Sequence, residues 1–273
     1  MKTFLRRPGN KSKHLKHIIP HIPKFTGTYF EPFLGTGAVY LHLLPKKAVL
    51  NDLNKDIIAI WKLVKTNPNF IIQEIDKFKK GFLPKSNEMK LKQCKDIVSK
   101  MDTYTGDQRT INYLLMIYCS FQGTIYLTNR LYFTGLYGDI YIDNSCHMFK
   151  ENYKHKILEL QSILKNVKIE NKDYSKVLDK TKKGDFVFLD PPYIEEKKYS
   201  FNYNKNEEFS IKSIQEELQK LDKKQVKWMM TQIDNVQVRN IFKKYKFIEY
   251  DNGSRFNNSS ISIGKNEVLI TNY

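Results

Sequence analysis

At 273 residues, 41% of them hydrophobic, the chain can bury a full core as one large domain or as one domain with an insert. Its 46 Lys and Arg against 29 Asp and Glu leave a net charge of +17, which points to a polyanionic partner, most commonly nucleic acid. No apolar run approaches the ~20 residues of a membrane span, and Cys94, Cys119 and Cys146 are too few and too scattered for a disulfide framework or a zinc site.

The opening Met1 to Pro8 lacks the apolar core of a signal peptide, so the expected setting is intracellular. Phe4 to Lys11 is a basic loop with a Pro8-Gly9 turn. Ser12 reads as the N-cap of a helix with Leu15, Ile18 and Ile19 on one face. His14, His17 and His21 are near helical spacing, but Pro20 breaks the helix and no acid or Cys is close, so they read as a solvated basic face and no metal site is expected. Thr28 to Glu31 is a first strand and Gly37 to Leu44 a helix. Gly35 and Gly37 at that crossing let the backbone approach a ligand closely. A second strand, Ala48 to Leu50, runs into Asn51-Asp52. An acid there holds ribose hydroxyls in a βαβ nucleotide site, or caps the next helix, or does both.

That helix, about 53–65, carries Ile57, Ile60, Trp61 and Val64 as an apolar stripe. From Asn67 to about Lys165 the strand-helix rhythm lapses into amphipathic segments near 69–80, 87–101 and 110–121. Gly123 to Asp143 then reads as a β-ribbon, with turns at Asn129-Arg130 and Gly135-Leu136-Tyr137-Gly138. Asn129 and Arg130 interleaved with Tyr126 and Tyr137 suit contact with base edges and phosphates, and equally suit an ordinary hairpin packed on helices. A helix over 151–164 and a strand over 167–171, ending near Asp173-Tyr174, resume the sheet.

Asp185 to Leu189 is a short apolar, β-favouring run, read as a buried parallel strand. It meets Asp190-Pro191-Pro192-Tyr193, and two prolines stop a strand, so Asp190 is left at the carboxyl edge of a sheet, where open α/β folds bind ligands. The Asp190 carboxylate and the Pro191 carbonyl can each accept a hydrogen bond from an exocyclic amine, and Tyr193 can stack on the base that bears it. Ile194 to Phe209 is a polar loop with Lys197, Lys198 and Tyr203, read as substrate-facing. A helix over 210–221, a strand over 227–231, a helix near 235–244 and strands at 246–250, 261–263 and 267–271 complete the sheet.

With these motifs placed, nearly the whole chain resembles the Dam-like α-group of adenine-specific DNA methyltransferases. The carriers are Gly9-Asn10-Lys11, Glu31-Pro32-Phe33 with Gly35 and Gly37, Asn51-Asp52-Leu53-Asn54, Asp190-Pro191-Pro192-Tyr193 and Asn266 to Tyr273. The resemblance implies an α/β, Rossmann-like S-adenosylmethionine-dependent methyltransferase sheet over 1–65 and 163–273. Into it a mostly helical DNA-recognition domain bearing a β-hairpin is inserted at 66–162. It also implies cofactor contacts from Arg7, Lys11, Glu31, Pro32, Asp52 and Asp190, with the backbone around Phe33 to Gly37 beside the methionine part and Asp173 and Tyr174 bordering the adenine ring. Arg7 stands where the family has Trp, and the usual Arg-x-Asn pattern is not recognisable after Phe121-Gln122-Gly123.

The expected reaction is methyl transfer to the N6 amine of a flipped adenine, with Asp190 to Tyr193 as the catalytic turn. The rivals are cytosine N4 or RNA adenine as acceptor, or a DNA-binding relative that has lost catalysis. The expected partner is double-stranded DNA, joined by a companion restriction endonuclease in one biological setting. Oligomeric state and recognition sequence are not legible.

Overall fold

The computed structural model describes residues 3–120, 123, 125–127, 131–133, 152–193, 211–250 and 267–273. Its larger sheet has seven strands: β1 (Tyr29–Glu31), β2 (Ala48–Asn51), β5 (Lys168–Glu170), β6 (Phe186–Leu189), β7 (Lys227–Ile233), β8 (Lys246–Tyr250) and β9 (Glu267–Thr271). Their order is β5-β2-β1-β6-β7-β9-β8. β2, β1, β6 and β7 pair in parallel, while β9 lies antiparallel to both β7 and β8. Two short strands, β3 (Ile125–Leu127) and β4 (Leu131–Phe133), form a separate antiparallel pair. An open, mostly parallel α/β sheet is therefore present, and a β-pair stands where the ribbon is expected.

Among the described residues ten α-helices occur: α1 (Leu15–Ile18), α2 (Ala38–Leu43), α3 (Lys55–Thr66), α4 (Pro68–Phe82), α5 (Asn87–Ser99), α6 (Gly106–Cys119), α7 (Tyr153–Leu164), α8 (Tyr174–Leu178), α9 (Ile211–Lys223) and α10 (Val236–Ile241). None of them is long and apolar enough to cross a membrane.

Two compact units make up the chain: 1–12, 35–44 and 54–171 in the first, 13–34, 45–53 and 172–273 in the second. In the first, α3 buries Ile57, Ile60, Trp61 and Val64, the four residues of the sequence stripe. The Trp61 indole donates to the Gly35 carbonyl at 3.2 Å, and Phe4 meets its ring edge-on at 5.3 Å. Arg109 on α6 grips Asp56 on α3 through Nε and Nη2, at 3.0 and 3.2 Å. Cys94 and Cys119 are buried thiols in α5 and α6. Gly123 has φ +71°, and a Cβ there would lie 2.1 Å from the Arg6 carbonyl oxygen, so only glycine fits.

In the second unit the core is built from Val187 and Leu189 of β6, Trp228 and Met230 of β7, Val268 and Ile270 of β9, and Ile214, Leu218 and Leu221 of α9. Burying each such side chain contributes about 1.5–3 kcal/mol, so the all-buried Phe186-Val187-Phe188-Leu189 is held firmly. Its entrance is clamped too: the buried Asp185 carboxylate accepts from Thr28 N at 2.7 Å and Lys182 N at 2.9 Å.

Four local readings of the sequence are corrected. Ser12 does not cap a helix; the Asn10 side chain accepts from Ser12 N and Ser12 Oγ, and Lys11–Lys13 winds as a 3-10 turn. The cap of α3 is Asn54, which accepts from Asp56 N and Ile57 N, so Asp52 does not fill that role. A helix, α8, follows Asp173 where the sequence reading had only a strand end, and Asp173 caps it through Ser175 N. His14 and His17 are half-buried rather than a solvated face: His17 stacks on Tyr250 at 4.9 Å, and His14 Nδ1 lies 3.5 Å from Glu267. The strand read at 261–263 lies outside the described residues.

Candidate active site

Strand order decides where a ligand can sit in an open α/β sheet. From β1 the chain goes to β2 on one side, while β6 flanks β1 on the other, so the winding direction switches between β1 and β6. The crevice beyond the carboxyl ends at such a switch is the usual binding place. Glu31-Pro32-Phe33 leaves β1 there and Asp190-Pro191-Pro192-Tyr193 leaves β6. The two motifs picked out of the sequence are thus brought side by side by strand pairing alone.

The Asp190 turn is held from β7. Leu189 pairs with Met230, and the next residue along β7, Thr231, donates its hydroxyl to Asp190 Oδ1 at 2.5 Å. Gln232 donates Nε2 to the Pro192 carbonyl at 3.2 Å. Thr231 and Gln232 are fully buried, whereas Pro192 is exposed. A polar pair ending an apolar strand run was the available signal for them.

Tyr193 is half-buried, and its hydroxyl donates to Glu267, the first residue of β9. Glu267 is itself buried and also accepts from the Tyr250 hydroxyl at 2.6 Å. Burial, then the charges of Asp190 and Glu267, push the Tyr193 phenol far above its ordinary range, so it stays a neutral donor. Tyr250 is displaced the same way, by burial first and Glu267 second.

At the ends of β1 and β2 the organiser is Asn51. Its Nδ2 donates to the carbonyls of Pro32 and Lys172, each at 3.0 Å, while Oδ1 accepts from Lys172 N at 2.9 Å. Its own carbonyl accepts from Leu34 N at 2.8 Å. One buried amide therefore fixes the segments on which Phe33 and Tyr174 stand, and those two rings meet at 5.2 Å. Burial, helped by Asp173, pushes the Tyr174 hydroxyl up to about 12. Asp52, partly exposed, follows directly on Asn51. Glu31 is buried with its carboxylate accepting from the Tyr29 hydroxyl at 2.7 Å.

Arg7, Lys11, Gly35 and Gly37 belong to the first unit. Lys11 is buried and Arg7 half-buried. Gly35 and Gly37 both take positive φ, +49° and +64°, and Gly35 has open space where a side chain would stand. Gly37 supplies the N-cap of α2. Of the expected DNA contacts, Tyr126 falls on β3, and Asn129, Arg130, Tyr137, Lys197, Lys198 and Tyr203 lie outside the described residues.

Comparison with known proteins gives the family of the chain. Residues 8–254 match the family described as D12 class N6 adenine-specific DNA methyltransferase. The chain is 27% identical over 281 residues to type II methyltransferase M1.LlaDCHI of Lactococcus lactis subsp. cremoris, covering 100% of this chain and 96% of that protein. It is 28% identical over 256 residues to type II methyltransferase M.MjaIII of Methanocaldococcus jannaschii, 86% of each chain. A DNA adenine methylase of Vibrio cholerae is 34% identical over 86 residues, 32% of this chain and 30% of that one.

Proposed function

The chain belongs to the D12 class N6 adenine-specific DNA methyltransferases, and from that premise we propose that it takes an adenine out of double-stranded DNA and methylates its N6 amine on the Asp190 turn, using S-adenosylmethionine. The observation that carries this reading is the placement of Asp190 at the carboxyl end of β6, at the sheet's switch point, with its carboxylate oriented by a buried hydroxyl.

The carboxyl edge suits the cofactor chemically. The tilted rings of Phe33 and Tyr174 offer a flat apolar surface for an adenine, and Asp52 offers a carboxylate for ribose hydroxyls. Phe33, Asp52, Asp173, Tyr174 and Asp190 would hold it. For Arg7, Lys11, Glu31, Pro32, Gly35 and Gly37 the proposal rests on the motif resemblance. When bound, S-adenosylmethionine supplies a methyl group already activated on a sulfonium.

The protein's own work is alignment. Asp190 and the Pro191 carbonyl accept hydrogen bonds from the adenine amine, which turns the nitrogen lone pair out of the ring and points it at the donor. Tyr193 gives the base a stacking surface, its ring fixed by the hydroxyl's bond to Glu267. Carboxylate and phenol act here as hydrogen-bonding groups, since an activated donor needs alignment more than a strong base. Residues 1–65 and 163–273 form the catalytic domain and 66–162, with the β3–β4 pair, the target-recognition insert. In the insert Tyr126, Asn129, Arg130 and Tyr137 read DNA, and in the catalytic domain Lys197, Lys198 and Tyr203 grip it. The relatives named type II methyltransferases support a companion restriction endonuclease.

The test is nucleoside mass spectrometry on unmethylated DNA incubated with protein and S-adenosylmethionine. The expected product is N6-methyladenine. Asp190→Ala should abolish it while keeping most of the nonspecific DNA affinity; full turnover in that variant would overturn the assignment.

A further inference from the structure

In the active site the group that does the positioning is itself in need of positioning. Asp190 is the last residue before a Pro-Pro turn, just past the end of β6. A carboxylate pivots about its terminal torsion, which is broad and roughly two-fold, and each rotation carries its lone pairs away from a bound amine. From the geometry of β7 we infer that Thr231 is a positioning residue for methyl transfer: its hydroxyl locks the plane of the Asp190 carboxylate, while Gln232 locks the turn that follows.

Four observations carry this. Thr231 has 0% exposure, so its hydroxyl hydrogen has no solvent alternative, and the other acceptor in reach, the Leu189 carbonyl at 3.5 Å, is a full ångström farther than Asp190 Oδ1 at 2.5 Å. The register leaves little freedom, because Phe188 pairs with Met229 and Leu189 with Met230, which brings the next residues of the two strands level. β7 is itself paired on its far side, where Thr231 faces Leu269 of β9, so the hydroxyl sits on a strand held from both edges. Gln232, also fully buried, reaches the Pro192 carbonyl at 3.2 Å, so two successive residues of one rigid strand hold both ends of the Asp190-Pro191-Pro192 segment.

The chemistry explains why a hydroxyl serves here. A carboxylate has two oxygens and about four lone-pair sites, so accepting from Thr231 fixes its plane without exhausting its capacity for an amine. A hydroxyl is neutral and leaves the acid's charge in place, whereas Lys or Arg at this position would compete with the amine for the same oxygens. Valine has nearly the shape of threonine and lacks only the donor, so the hydroxyl can be removed while the packing is kept.

This inference rests on the adenine methyltransferase reading, and its test separates the two. Wild-type protein, Thr231→Val, Thr231→Ser and Asp190→Ala are compared in single-turnover methylation of a DNA duplex, alongside DNA affinity and thermal melting. Thr231→Val should lower the single-turnover rate about tenfold or more, the effect of losing one buried hydrogen bond to a charged group. Its DNA affinity should stay within about twofold, since only the reacting geometry is disturbed. Thr231→Ser, which restores the donor, should recover most of the rate. A merely structural threonine would lose rate and melting temperature together and would not favour Ser over Val in rate. Equal rates for wild type and Thr231→Val, or for the Val and Ser variants, would overturn the positioning role and leave the methyltransferase reading standing. A wild type that forms no N6-methyladenine would overturn that reading and this role with it.

Discussion

Replacing Asn51 with leucine removes one buried amide and strands three main-chain groups. Leucine shares the branching of asparagine, but its two methyl groups are bulkier than the amide, so crowding at this fully buried position comes on top of the hydrogen-bond losses. The buried carbonyl of Pro32 loses its donor at 3.0 Å, and the amide and carbonyl of Lys172 lose theirs at 2.9 and 3.0 Å. An orphaned buried carbonyl costs about 1–3 kcal/mol, while the Lys172 groups sit beside an exposed residue, regain water and lose about 0.5–1 kcal/mol each. The total is about 3 kcal/mol. With a urea dependence of about 3 kcal/mol per molar, suited to a chain of this size, the unfolding midpoint should fall by about 1 M at an unchanged slope. The same variant should bind S-adenosylmethionine more weakly in calorimetric titration, because the segments carrying Phe33 and Tyr174 lose their common tie. Asn51→Asp keeps the acceptor for Lys172 N but turns a carboxylate oxygen towards two carbonyls, and it should fall at least as far. A midpoint for Asn51→Leu within about 0.2 M of wild type would refute the reasoning, since it would mean the three groups find partners without the amide.

Two further outcomes follow from the structure. Tyr174 and Tyr245, each pushed up to about 12 chiefly by burial, keep their protons in the folded protein after the unfolded chain has lost its own near pH 10, so the unfolded state binds fewer protons in that interval. Their contribution is intact below about pH 10 and is lost as pH rises towards 12; urea midpoints across this range should decline, and less steeply in Tyr174→Phe, an identical decline refuting the assignment. Gly123→Ala should destabilise by about 2 kcal/mol or more, from the positive φ and the close approach to the Arg6 carbonyl oxygen, and lower the melting temperature by several degrees; an unchanged melting temperature would show that this crossing of chains is not tight.

What the sequence revealed and what it hid divide by distance along the chain. The strand before Asp190 was legible because four apolar residues run into two prolines, a signal contained in one short stretch. The β1–α2 crossing was legible for the same reason, from Gly35 and Gly37. Thr231, Gln232 and Glu267 were not singled out, because their meaning depends on which strands neighbour β6 and β9 and in what register, and polar residues at strand ends are ordinary. His14 and His17 were misjudged because their partners, Tyr250 and Glu267, lie at the far end of the chain. Short-range competition hid the rest. Asn10 and Ser12 both suit a cap, as do Asp52 and Asn54, and side-chain reach decides between such neighbours. The five residues of α8 are too few to carry a helical period.

The place of β9 shields two strand edges at once. It lies between β7 and β8, antiparallel to each. Without it, β7 and β8 each present an open row of amides and carbonyls, the surface on which stray chains pair. Glu267, which holds the Tyr193 hydroxyl, stands on that strand, so a chain with β9 unpaired should lack an ordered Tyr193 and be prone to stick to other chains.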